Sequence, residues 1–109
     1  MRLTFTALLL AVVAFGQHPA PKNLKLLPAD ENLIPTMRAF AAALGQKCEF
    51  CHVEGDFASD EKHTKGIARL MITMAKDINA KFPDGKTHVT CYTCHRGATE
   101  PAMAPEAAK

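Results

Sequence analysis

All four cysteines of this 109-residue chain fall in two copies of one pentapeptide pattern. Cys48-Glu49-Phe50-Cys51-His52 and Cys91-Tyr92-Thr93-Cys94-His95 both read C-x-x-C-H. Two thiols three residues apart on a tight turn reach the two vinyl groups of one porphyrin and form thioethers. The histidine that follows is then aimed at the iron. C-x-x-C-H is accordingly the c-type haem attachment pattern. The expectation is two covalently bound haem c groups, held by Cys48, Cys51, Cys91 and Cys94, with His52 and His95 as proximal iron ligands. Two alternatives compete. A pair of disulfides would use the same cysteines, but it gives no reason for a histidine after each pair. A zinc site of four Cys, or of Cys and His, fits C-x-x-C twice. The separation of about forty residues between the pairs argues against that non-haem module.

Haem also meets a difficulty of composition. Hydrophobic residues make up 48% of the chain, which excludes wholesale disorder. Aromatics are only 6% and Trp is absent, so a protein-only core is hard to build in a chain this small. Two flat apolar porphyrins can take the place of the missing aromatics. The formal charge of +2, with no block of like charges, gives no electrostatic case for nucleic acid.

The N-terminus reads as an export signal over residues 1–16. Arg2 supplies a short positive region, and Leu3 to Phe15 is almost unbroken apolar sequence. Ala14-Phe15-Gly16 puts small residues where a signal peptidase reads them, so cleavage before Gln17 is expected. The run is short for a bilayer span, although an uncleaved membrane anchor is the competing reading. No Cys follows it to carry a lipid. Export to the periplasm is the expected localisation, with membrane association as the variant.

The mature chain reads as mostly α, with long loops. Pro19, Pro21 and Pro28 make residues 17–29 an extended leader. Asp30 or Asn32 can cap a first helix, with Pro35 tolerated in its first turn and Gly45 as its stop. Leu33, Met37, Phe40, Ala41 and Leu44 follow the helical period. A second helix is expected from Ser59 or Asp60 onward, and Asp56, Asp60 and Glu61 read as helix-start residues. Its stripe is Ile67, Leu70, Met71, Met74, Ile78 and Phe82, weakened slightly by Gly66, and Pro83-Asp84-Gly85 ends it. The haem domain is expected over 30–97, followed by a flexible Ala- and Pro-rich tail over 98–109.

Each iron needs a sixth ligand, and a second protein ligand marks an electron-transfer haem. Met37, on the first helix, is the candidate for the first haem. Met71 and Met74 both lie on the stripe of the second helix, and spacing leaves the choice between them open. His88 is a further rival at the second haem, only three residues before Cys91. Methionine is also a common core filler at helical spacing. Arg69, Arg96 and nearby Lys are candidates to pair haem propionates, against the plainer reading of a solvated basic face.

The stretch from Met37 to Gly97 resembles half of the tetrahaem cytochrome subunit of photosynthetic reaction centres. The resemblance rests on Thr36-Met37, the first pentapeptide, Ala68-Arg69-Leu70-Met71 with Ile78-Asn79, and the run Val89-Thr90-Cys91-Tyr92-Thr93-Cys94-His95-Arg96-Gly97. It implies a small multihaem cytochrome c of two helix-plus-CxxCH-loop units with extended termini. It implies Met37 as sixth ligand at the first haem and favours Met71 over Met74 at the second. In that family a loop histidine after the second helix ligates a more distant haem. Here the loop from Pro83 to Lys86 is shorter, and two attachment motifs stand in place of four, so the resemblance makes His88 a remnant.

The expected function is one-electron transfer by a periplasmic dihaem cytochrome. Its partners are redox proteins, with a membrane-bound reaction centre as one option. A free carrier and a homo-oligomer that restores more haems fit equally well. The rival class is a small dihaem peroxidase or gas-binding protein, which requires one open iron.

Overall fold

The computed structural model describes residues 19–105, so the expected signal segment and the last four residues lie outside the described residues. Three helices run in chain order: α1 (Leu33–Leu44), α2 (His63–Ala80) and α3 (Cys91–His95). A short 3₁₀ turn, Cys48–Phe50, carries the first pentapeptide. No β-strand forms among the described residues, only an isolated bridge between Val53 and Asp56. The mostly α class read from the sequence is the one observed.

α1 begins at Leu33 with Asn32 at its N-cap, and neither Asp30 nor Asn32 makes a side-chain capping bond to its first turn; Asp30 closes the turn before it. The Asp30 carboxylate accepts the Asn32 N–H at 2.9 Å, and the Asp30 carbonyl accepts the Leu33 N–H at 3.2 Å. Pro35 sits in the first turn, where a missing N–H leaves no helical bond unmade. The helix stops at Gly45, which is left-handed at φ +63°. This turn does more than end the helix. The Ala43 carbonyl accepts the Gly97 N–H at 2.8 Å, across from the second pentapeptide. A Cβ built on Gly45 would come within 2.2 Å of the Gly97 carbonyl oxygen. Two glycine backbones therefore touch where no side chain fits. They fasten the end of α1, which precedes the first attachment loop, to the turn that follows the second.

α2 starts later than the sequence suggests, at His63 rather than at Ser59 or Asp60. Side chains in the preceding turn compete with the helix for those residues. The Ser59 hydroxyl accepts the Glu61 N–H at 3.2 Å. The Asp60 carboxylate is a hub for groups from elsewhere: Arg69 at 2.9 Å, Lys65 at 3.4 Å, Lys25 at 3.6 Å and the Asn23 amide at 2.9 Å. The hub ties the leader to α2. Arg69 also donates to the Asn23 carbonyl at 3.2 Å, and Lys76 donates to the Leu26 carbonyl at 2.8 Å. Arg69 is thus committed to a strap, and its charge is met by Asp60 instead of standing free on a basic face.

Packing between helices is thin. α3 lies mainly against α1 and touches α2 lightly. Ala43 is the one buried apolar side chain among the described residues. α2 ends at Ala80, so Phe82, expected on its stripe, lies just beyond it; Ile67, Leu70, Met71, Met74 and Ile78 remain 38–58% exposed, so protein atoms alone do not cover the stripe of α2.

Gly45→Ala is expected to lower the unfolding free energy by about 2 kcal/mol, from the left-handed strain alone, before the clash with Gly97 is counted. Gly66→Ala, on an exposed helical position with open space around it, should raise stability by about 0.5–1 kcal/mol. Urea unfolding of both variants checks the pair. The strap predicts an acid dependence. The Asn23 amide, followed by Arg69 and Lys65, holds the Asp60 carboxyl down from 3.8 to about 2. A carboxyl depressed in the folded state stabilises above its ordinary range and loses that effect as pH falls. The gap in thermal midpoint between the native chain and Asp60→Asn should be full above about pH 5 and close as pH drops towards 2. A gap that stays constant with pH would contradict this.

Candidate cofactor site

The first pentapeptide is wound into a tight turn. The Cys48 carbonyl accepts the N–H of Cys51 at 3.2 Å and of His52 at 2.9 Å. The second pentapeptide is α3 itself. It opens at Thr90, whose carbonyl accepts the Thr93 N–H at 3.1 Å while the Thr93 hydroxyl accepts the Thr90 N–H at 2.9 Å. Both geometries hold two thiols and an imidazole on one short arc. None of the four cysteines is in a disulfide. Burial pushes the Cys51 and Cys91 thiols up from their ordinary value. Among the described residues the Cys and His side chains do not gather into a set of three or more that could hold a zinc ion.

The two histidines share a decisive feature. His52 Nδ1 lies 2.9 Å from the Phe57 carbonyl oxygen, and His95 Nδ1 lies 2.9 Å from the Ala98 carbonyl oxygen. A carbonyl oxygen only accepts, so in each ring Nδ1 carries the hydrogen. The neutral ring then presents the Nε2 lone pair. This is the outer-sphere arrangement that orients a metal-ligating histidine.

A cavity of about 560 Å³ opens between the leader, α1, the first attachment turn and the first half of α2. That size is within the usual range of cofactor pockets, about 300–1,000 Å³. Met37, Cys48, Cys51, His52, Met71, Cys91 and His95 all line it. Its remaining wall is largely apolar, with Leu24, Phe40, Leu44 and Ile67 among the contributors. Thr99, Glu100 and Pro101 from the expected tail also reach it. Soft sulfur donors, two Nε2 lone pairs and an apolar wall are a donor set that fits haem c. The half-exposed stripe of α2 is likewise a face that a flat apolar ring would cover.

The other candidates lie apart. Cys94 is exposed and contributes nothing to this wall. Met74 is 47% exposed and also stands outside it. His88 is engaged in a separate cluster: its Nε2 is 2.9 Å from both Asp84 carboxylate oxygens, and its ring stacks on Phe82 at 3.9 Å. The imidazole beside Asp84 holds that carboxyl below the usual range.

Asn79, part of the run that carries the family resemblance, has a role that the sequence does not show. The Asn79 carboxamide accepts the N–H of His88 at 2.8 Å and of Val89 at 2.9 Å, and donates to the Val89 carbonyl at 2.9 Å. It clamps the strand-like segment just before Cys91 onto α2. Pairing at residues ten apart leaves no short-range signature, so only the fold shows it.

Comparison with known proteins follows the same line. The sequence model of the photosynthetic reaction centre cytochrome C subunit family matches residues 22–107. The chain is 44% identical over 59 residues to a photosynthetic reaction center cytochrome c subunit from Thermochromatium tepidum, covering 52% of this chain and 15% of that protein. It is 37% identical over 84 residues to the same subunit from Roseobacter denitrificans, covering 67% and 22%. It is 41% identical over 90 residues to cytochrome c-554 from Chloroflexus aurantiacus, covering 75% and 22%. The matched region thus spans less than a quarter of the length of each relative.

Asn79→Ala should lower the unfolding free energy by about 1–3 kcal/mol, because it unmakes three hydrogen bonds, two of them partly buried. Denaturant unfolding reads this directly, and an unchanged midpoint would show the clamp to be dispensable.

Proposed function

Because the chain belongs to the photosynthetic reaction centre cytochrome c subunit family and is a c-type cytochrome, we propose that it carries two haem c groups and transfers single electrons between protein partners. When bound, each haem supplies an iron that alternates between the ferric and ferrous states. The chain's own residues do the rest. Cys48 with Cys51, and Cys91 with Cys94, hold the two groups covalently. His52 and His95 present Nε2, each with its ring fixed by the Nδ1–H bond to a carbonyl. That shared pinning is the observation that carries the reading, because it prepares both imidazoles as ligands.

Met37 and Met71 are the proposed sixth ligands. Both lie on the wall shared with the two histidines, which supports Met71 over Met74 and over the Asp84-bound His88. A thioether as second axial ligand favours a higher potential than a second imidazole. Two protein ligands per iron leave no open position for substrate, which favours a carrier over a peroxidase or gas-binding protein. Export to the periplasm fits an apolar segment at residues 1–16, which lies outside the described residues. No helix among the described residues is long and apolar enough to cross a membrane. Two of the relatives are named as reaction center subunits. A membrane-bound photosynthetic reaction centre is therefore one proposed partner, beside a soluble redox protein or a second copy of this chain.

A pyridine haemochrome assay on the mature, exported protein should give about two haems per chain. Carbon monoxide added to the reduced protein should leave both haem spectra unchanged at first. An immediate, stoichiometric shift at one haem would favour the enzyme reading. Met71→His should keep both haems and lower one midpoint potential, whereas Met74→Ala should leave both midpoints in place. If Met74→Ala removes a sixth ligand and Met71→Ala does not, the assignment is reversed.

A further inference from the structure

The two C-x-x-C-H units are alike in sequence pattern, but their histidines are not alike in surroundings. The Phe57 carbonyl oxygen accepts two donors, His52 Nδ1–H at 2.9 Å and the Lys65 ammonium at 2.8 Å. Lys65 is held there. It also donates to the Ser59 carbonyl at 2.8 Å, lies 3.4 Å from the Asp60 carboxylate, and its side chain is only 11% exposed. At the other unit, His95 Nδ1–H donates to the Ala98 carbonyl at 2.9 Å. Among the described residues no side-chain cation shares that oxygen.

The difference has an electronic consequence. A carbonyl that accepts from Nδ1–H draws the proton towards itself and makes Nε2 a more basic ligand. A more basic ligand favours ferric over ferrous iron. An ammonium on the same carbonyl competes for its lone pairs and weakens this effect. The positive charge also opposes the extra charge of the ferric state. Asp60 offsets part of that field but not the competition at the oxygen. Both effects point the same way.

We propose that Lys65 is a positioning residue that acts through the Phe57 carbonyl on His52, and so sets the haem attached at Cys48 and Cys51 at the higher of the two potentials. This rests on His52 and His95 being the proximal ligands. The step concerned is the gain of one electron by ferric iron from a reductant, with no bond made or broken. Electrons arriving at the His95 haem would run downhill to the His52 haem, which gives the pair a direction.

The test is a spectroelectrochemical titration of the mature haem-loaded protein, native and with Lys65→Met or Lys65→Arg. For the haem of higher potential, Lys65→Met should lower the ferrous-to-ferric ratio at fixed potential about tenfold, which for a one-electron couple is about 59 mV. The other midpoint should stay in place, and Lys65→Arg should restore most of the effect. In the ferrous protein the ¹⁵N–¹H signal of His52 Nδ1 should move in Lys65→Met, while that of His95 does not. As a second variant, Asp60→Asn leaves the ammonium on Phe57 and removes its counter-charge, so it should raise the same midpoint. Two haems per chain with both midpoints and the His52 signal unmoved by Lys65→Met would overturn the role of Lys65 alone. A mature native chain without haem would instead overturn the functional reading beneath it.

Discussion

Three helices, one of them five residues long, cannot cover each other's apolar faces. In this chain they do not: Ala43 is the single buried apolar side chain among the described residues, and the stripe of α2 stands half in the open. Hydrophobic burial is the dominant favourable term in folding, so a chain arranged this way depends on apolar surface from beyond its own side chains. Covalent porphyrins answer that need in the proposed reading. Their thioether attachment matters for the same reason, since a lightly packed protein would otherwise release what completes it.

Hydrogen bonds and ion pairs supply what apolar packing does not. The leader is strapped to α2 through Asp60 and Lys76, the segment before Cys91 is clamped by Asn79, and α1 is joined to the turn after α3 where Gly45 meets Gly97. These ties share a consequence for the site. They fix the two attachment arcs relative to the helices that carry Met37 and Met71. Hydrogen bonds to backbone groups suit this task, because each is directional and short where apolar contacts are neither. An iron site needs its ligands held in a narrow geometry, and this cavity is lined from the leader, α1, both attachment segments, α2 and residues 99–101, which these ties join.

The same logic separates the two halves of the molecule. Both pentapeptides hold two thiols and an imidazole on a short arc, one as a 3₁₀ turn and one as α3, yet α2 places a lysine on the carbonyl that fixes the first histidine and no side-chain cation among the described residues does so at the second. Repetition in sequence thus need not produce two equivalent redox centres. Outer partners, drawn from whatever the loop brings near, make them distinct.

Much of this was legible in the residues alone, and the reason is range. A C-x-x-C-H arc, a helix stopped by Gly45 and an apolar stripe on α2 are set by neighbours within about four positions, where turn chemistry and periodicity act. The helical class followed from these, and the proposed roles of the cysteines and histidines start from the same arc. Local pattern places the start of α2 at Ser59 or Asp60, and the helix begins at His63, because the partners of Asp60 include Asn23 and Lys25, more than thirty residues away. Likewise, spacing could not choose between Met71 and Met74; the fold puts one on the cavity wall and the other outside it. Nor could it show that Lys65 and His52 meet at one oxygen, or that two glycines touch. The glycine contact joins segments far apart in the chain, and the shared oxygen joins residues five and eight positions from it across an irregular loop; neither follows from turn chemistry or helical period, and only the fold fixes their distances.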